Sequence, residues 1–345
     1  MNRRQLLTLQ HGASSSAVAE APPAVLTGLT PYTGPWTETE VIHLLRRTMF
    51  GATKNDVNYF VSVGMTQTVN ELLTPAASAL PPPLYVYTSN YADPNVAQGA
   101  TWITAPYDST ANGYRLKSYR AWWISQMLNQ PRTMQEKMTL FWMNHFSTQT
   151  GTVNDARYCY AINALCRANA LGNWQSLTKA ITLDPGMLVY LNGYANTKTA
   201  PDENYGREMQ ELFTIGKDAN GNPYYTESDV QNAAKVLTGY RINGTTITSY
   251  FDSTKHDTTD KTFSSFYNNT VITGQTGAAG ATELDSLLTM IFGTQQAAIF
   301  LCTELYRFFL YYNIDTNTDT NVIQPLADVF RTGNIMRLCL CCRHC

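Results

Sequence analysis

Between Asp202 and Arg241 the chain reads DENYGREMQELFTIGKDANGNPYYTESDVQNAAKVLTGYR, and this stretch fits two helices around a polar loop and little else. Counting from Asn204, residues Tyr205, Met209, Leu212 and Phe213 follow the spacing of a buried helical stripe. At roughly 100° per residue, Asn204, Arg207, Glu208 and Glu211 share an arc of about 100° on the opposite side. The loop that follows, Asp218 to Asp229, places oxygen side chains at EF-hand spacing. Pro223 stands where that loop needs glycine, and Asp229 where it needs a bidentate glutamate. A tight turn at Asn220-Gly221, followed by a Thr226-x-x-Asp229 helix cap, accounts for the same residues.

Helical patterns dominate the rest. Thr37-x-x-Glu40 is a capping box that opens a helix through Met49, with Val41, Leu44, Leu45 and Thr48 inward and Glu40, His43, Arg46 and Arg47 outward. Leu116, Tyr119, Trp123 and Met127 mark a helix over Tyr114–Leu128. Thr133-x-x-Glu136 reads as the cap of the next, running to about Phe146. Asp155–Ala170, Trp174–Thr182, Glu283–Phe292 and Gln295–Tyr312 complete the set. Two regions are irregular: Thr74–Gly113, where Pro81–Pro83 bar regular structure, and Asn243–Ala281, where Thr245–Phe251 alternates as a hairpin strand would. The expected fold class is mainly α, a multi-helix globular fold with irregular loops and a minor β-hairpin region. Residues 35–333 are expected to form one helical domain.

Charge narrows the function classes. Charged residues are 14% of the 345, well below the usual quarter, and the net charge is −2. That leaves no basic footprint for nucleic acid. No stretch has the roughly 18 uninterrupted apolar residues of a membrane span; Ala297–Tyr312 comes nearest but is broken by Glu304 and Arg307. Met1–Leu7, MNRRQLL, opens as a twin-arginine export signal does, but the apolar run such a signal needs does not follow. Residues 1–34 are therefore either a degenerate export signal or a flexible leader. A periplasmic or secreted location is expected, with the cytoplasm as the alternative. At the other end, CLCCRHC matches no zinc-knuckle spacing, so residues 334–345 read as an aberrant, truncated or frame-shifted tail. Cys159, Cys166 and Cys302 sit in helical patterns as buried thiols.

Five blocks in order resemble a known bacterial family. They are HLLRRTMFG at His43–Gly51, FWMNHFST at Phe141–Thr148, the Asp202–Arg241 stretch, FDSTKHD at Phe251–Asp257 and FLCTELYRFFLYY at Phe300–Tyr312. Together they are similar to domain-of-unknown-function family 1800, over about Trp36 to Arg331. The resemblance implies a fold and candidate positions, but no mechanism, since the family has no established activity. Its members often resemble exported proteins encoded beside a second uncharacterised family, 1501, and that neighbour is the partner the resemblance implies.

Candidate catalytic residues are Arg207, Glu208, Glu211 and His145; candidate binding residues are Asn144, Asn204, His43, Arg46, His256 and Asp257. Two carboxylates could serve as acid, base or metal ligand, and a guanidinium could hold an anion. The bland alternative is a surface ion-pair ladder through Glu203, Arg207 and Glu211. His145 continues the stripe Met134, Met138, Phe141, Trp142, so it is either a hydrogen-bonded core histidine or an inward-facing base. His256-Asp257, in a threonine-rich loop, reads as solvated. Neither a Glu-x-x-His motif, a nucleophile elbow nor a P-loop occurs, and nothing in the sequence names a cofactor. Two functions stay open: a non-catalytic assembly or binding partner of another secreted protein, and a hydrolase-like or metal-assisted enzyme built on the Arg207, Glu208, Glu211 face.

Overall fold

Capping chemistry sets the first two helices. The Glu40 carboxylate accepts the Thr37 N–H at 2.8 Å while the Thr37 hydroxyl caps in return, so α1 runs Glu38–Thr48. Thr53 and Asp56 repeat the device for α2, Lys54–Leu72, which is kinked at Gly64. The structure, a computed structural model, describes Leu29 and residues 32–76, 81–86 and 91–332. The proposed export signal at Met1–Leu7 and the cysteine-rich tail lie outside the described residues.

Asp108 accepts from the N–H groups of Thr110 and Ala111, which starts α3 (Ser109–Leu128) more than a turn before the periodic region. Then follow α4 (Gln135–His145), α5 (Ala156–Ala168), α6 (Trp174–Thr182) and α7 (Pro185–Tyr190). The expected Thr133 capping box does not form. Thr133 instead donates to the Leu72 carbonyl, and Glu136 turns into the core to meet Arg167. A doubly hydrogen-bonded carboxylate facing a buried guanidinium outcompetes a surface cap.

Helix α8 (Glu203–Glu208) passes directly into a π-helical turn, Met209–Thr214. After the polar loop comes α9 (Glu227–Val236), capped reciprocally by Thr226 and Asp229. Strands β1 (Tyr240–Asn243) and β2 (Thr248–Phe251) pair antiparallel with Tyr240 opposite Phe251, and β3 (Lys261–Thr262) pairs with β4 (Val271–Ile272). Helices α10 (Glu283–Phe292), α11 (Gln295–Phe309) and α12 (Gln324–Thr332) close the described chain. The fold is mainly α with two small antiparallel ribbons, and no single described helix is long and apolar enough to cross a membrane.

Aromatic rings fill the main core, where Trp174 meets Phe292 edge-on at 4.6 Å and also leans on Phe330. A second cluster gathers Trp102, Tyr119 and Tyr158; a third locks α1 to α2 through Val41, Leu45 and Phe60. Cys159, Cys166 and Cys302 are buried thiols, as their positions predict. Ionic pairs also reach the interior. Arg115 grips Asp93 with two bonds of 2.8 Å, and Arg167 grips Glu136 with two of 2.7 Å while Asn163 takes a further guanidinium proton. Charges this deep stay ionised only when fully paired and hydrogen-bonded.

Helix α8 crosses α9 at backbone distance. A Cβ at Gly206 would stand 2.8 Å from the Val230 carbonyl oxygen and 3.0 Å from the Ala234 nitrogen, neither of which can rotate away. Gly206→Ala gains about 1 kcal/mol of helix propensity but forces an overpacking cost of up to about 3 kcal/mol. The net expectation is a loss of about 2 kcal/mol, read as a lower urea midpoint with an unchanged slope.

Candidate functional site

The π turn decides what the motif helix shows to solvent. The Ile215 N–H reaches the Gln210 carbonyl at 2.8 Å, a five-residue step, and the Thr214 hydroxyl caps the Met209 carbonyl. Gly216 then ends the helix at φ 75°, where a side chain would also strike Phe300. One extra residue per turn rotates the stripe. Met209, Gln210, Phe213 and Thr214 are buried, while Leu212, expected inside, is 44% exposed. Gln210 takes the inward place, donating to the Gly206 carbonyl at 2.9 Å and accepting from the Tyr267 hydroxyl at 2.7 Å.

The charges of the motif are mostly committed. Arg207 holds both oxygens of Glu227, with Nη1 to Oε2 at 3.0 Å, and reaches Glu203 only at 3.5 Å. Its main tie thus runs across to the start of α9 rather than along its own helix. Glu211 accepts from Lys217 Nζ at 2.5 Å and from the Tyr225 hydroxyl at 3.3 Å. Burial, and next the nearby Glu211 carboxylate, hold the Tyr225 hydroxyl well above its ordinary pKa. Glu208 differs. It is half-buried and makes no hydrogen bond or ion pair with the described residues; burial first, then repulsion from Glu211, raise its pKa. Asn204 is exposed at the start of α8, its N–H on Asp202 at 3.0 Å.

His145 joins this helix through its backbone. Nε2 donates to the Phe213 carbonyl at 2.9 Å, and its ring lies among those of Phe141, Trp142, Phe146 and Trp174. The ring is partly buried, and this contact docks α4 onto the π turn. Asn144 beside it is exposed. His43 and Arg46 are exposed on α1, which packs against α2; burial and the Arg47 charge lower the pKa of His43. Among the described residues, Asn144, His43 and Arg46 make no hydrogen bond or ion pair with Arg207, Glu208 or Glu211, whereas His145 reaches the same helix through the Phe213 carbonyl.

His256 and Asp257 correct the solvated-loop expectation. His256 is 1% exposed and sits between Phe251 and Glu283, with Nδ1 3.0 Å from the Thr238 carbonyl. Its Nε2 stands 3.1 Å from Glu283 Oε1. Glu283 also accepts from Lys261 Nζ at 2.6 Å and from the Gln275 N–H at 2.6 Å. Burial pushes its pKa up, but His256, Lys261 and the Gln275 N–H together outweigh it and leave the carboxyl below its ordinary value. Lys261 is fully buried and also donates to the Asp257 carbonyl at 2.5 Å. Thr254, Lys255, Thr258, Thr259 and Asp260 face water as a polar loop should, while His256 and Lys261 turn inward to meet Glu283. Lys261, Glu283, Gln210, Glu227 and Lys217 were not flagged from sequence. Glu283 enters the sequence pattern only as the start of a helix, and Lys261 belongs to no motif.

The polar loop behaves as a turn. Asp218 Oδ1 accepts from the N–H groups of Asn220 and Asn222 at 2.9 and 2.8 Å. Among the described residues, no group of three or more His, Cys, Asp and Glu stands close enough to share a metal ion.

A helical fold with a charged, π-distorted motif helix, clamped to a capped second helix, is the class this geometry defines. The profile described as protein of unknown function (DUF1800) matches residues 43–339, so the chain belongs to that family. No curated protein and no solved structure matched.

Proposed function

We propose that this chain is an exported bacterial protein of the cell envelope that acts without catalysis, as an assembly or binding partner of another secreted protein. The observation that carries this reading is the surface left by the π turn. Arg207, Glu211 and His145 are spent on the protein's own structure, while Leu212 and the unpartnered Glu208 face outward within one helical turn of each other. An apolar side chain beside a carboxyl that lacks a partner suits a contact patch better than a reaction centre. The co-encoded family 1501 protein is the partner to test. The purified chain should co-elute with it. Leu212→Asp combined with Glu208→Lys should weaken the complex at least about tenfold, about 1.4 kcal/mol, with an unchanged circular dichroism spectrum. Absence of a complex, or full binding by the double variant, would overturn the proposal.

One observation favours the second reading, a hydrolase-like or metal-assisted enzyme. The raised carboxyl of Glu208 stands beside Glu211 and Tyr225, an arrangement suited to proton transfer. Glu208→Gln separates the two, because it keeps the shape of a contact surface and removes an acid.

A further inference from the structure

A cavity of about 100 Å³ lies where α1 and the end of α2 meet α11 and α12. Leu44, Leu72, Leu305, Phe309 and Leu326 give it an almost wholly apolar wall, and Arg47 stands among them. Its size is of the order of apolar protein cavities that stay dry and take up a small hydrocarbon. Leu310, partly exposed, lines it too, so the space reaches the surface.

The chemistry of its polar end is one-sided. Arg47 Nε is buried and finds no hydrogen-bond partner among the described residues. The guanidinium meets His43, whose Nδ1 lies 3.4 Å from Nη1. Neither Arg47 nor its exposed neighbour Arg46 has a carboxylate within 4.0 Å among the described residues. Both arginines complement the carbonyl end of α1, but that role needs neither a buried Nε nor an apolar hollow beside it. An arginine that lines a greasy pocket with its stem and holds its guanidinium unneutralised at the rim is complementary to a molecule with an anionic head and a hydrocarbon tail.

We propose that this pocket binds the carboxylate of a medium-chain fatty acid, with the head on Arg47 and His43, the first few methylenes of the tail among Leu72, Leu305 and Phe309, and the rest of the chain leaving past Leu310 at the mouth. This site stands apart from the motif helix and does not depend on the function proposed above. Calorimetry of the full chain with octanoate, decanoate and dodecanoate, each below its micelle concentration, tests it. Affinity should rise about fourfold per methylene until the cavity is full. Dodecanoate should bind at least about tenfold tighter than dodecanol or dodecyltrimethylammonium. Arg47→Gln should erase that preference, and Leu310→Trp, at the mouth, should weaken all the chains alike. Equal binding of dodecanoate and dodecyltrimethylammonium by the wild-type chain would overturn the assignment without recourse to a variant. No binding of dodecanoate at all would overturn it too and leave the hollow to a protein segment.

Discussion

Replacing Glu283 with alanine should cost about 3–5 kcal/mol of stability. The variant leaves Lys261 and His256, each no more than 1% exposed, without the carboxylate between them. It also orphans the Gln275 N–H, which donates to the same group at 2.6 Å. An uncompensated buried ammonium cannot recover its hydration, so the unfolded state gains by comparison. Because the native carboxyl has a lowered pKa, its contribution is present above the ordinary glutamate value of 4.5 and is lost as pH falls through the native one. Urea titration at pH 7 reads the loss directly. Glu283→Ala together with Lys261→Met should recover part of it, since the second change removes the stranded charge. A loss below about 1 kcal/mol for Glu283→Ala alone would mean that water reaches the cluster and solvates Lys261.

Asp184→Asn should work in the opposite direction. The Asp184 side chain caps α7, accepting from the N–H groups of Gly186 and Met187 at 2.8 and 3.2 Å. Burial raises its pKa from 3.8 to about 7, against those two hydrogen bonds, which favour the charge. A raised carboxyl stabilises the fold fully below its unfolded value, and that stabilisation fades as pH rises through the native one. The wild type should therefore lose on the order of 4 kcal/mol relative to the asparagine variant as pH climbs from about 4 to about 7. Asparagine caps a helix about as well and carries no charge, so the variant should be the more stable protein at pH 8. Parallel unfolding curves at pH 4 and pH 8 check it. Equal pH dependence of the two proteins would show that Asp184 is solvated.

Where local rules decide the structure, the sequence was legible. The Thr37 and Thr226 boxes cap helices as their spacing requires, and Trp174–Thr182 and Glu283–Phe292 have the bounds their periodicity implies. Helix α2 was missed because it is bent at Gly64 and carries no clean apolar stripe. Leu212 was misplaced because counting at 3.6 residues per turn cannot anticipate a π turn, which has no simple residue signature. The Thr133 box and the solvated His256 failed for a shared reason. In both places a long-range buried pair, Glu136 with Arg167 and Glu283 with Lys261, claimed groups that local chemistry would have left at the surface. Of the candidate site, the Arg207, Glu208, Glu211 helix was visible from charge placement alone. Its partners Glu227 and Lys217 were not, because they depend on how the polar loop folds back.

The buried ionic pairs also bear on the order in which the chain acquires structure. Asp93 and Arg115 are 22 residues apart, Glu136 and Arg167 are 31 apart, and Lys261 and Glu283 are 22 apart. Closing loops of such similar length differs by only about 0.3 kcal/mol in entropy. The three pairs therefore carry nearly the same loop-closure cost. Early contact between opposite charges is cheap while water still surrounds them; the costly desolvation comes only when the aromatic core closes over. Each of the three pairs therefore bears its desolvation cost together with the tryptophan-centred packing that covers it, and a change that loosens that packing weakens the pairs as well.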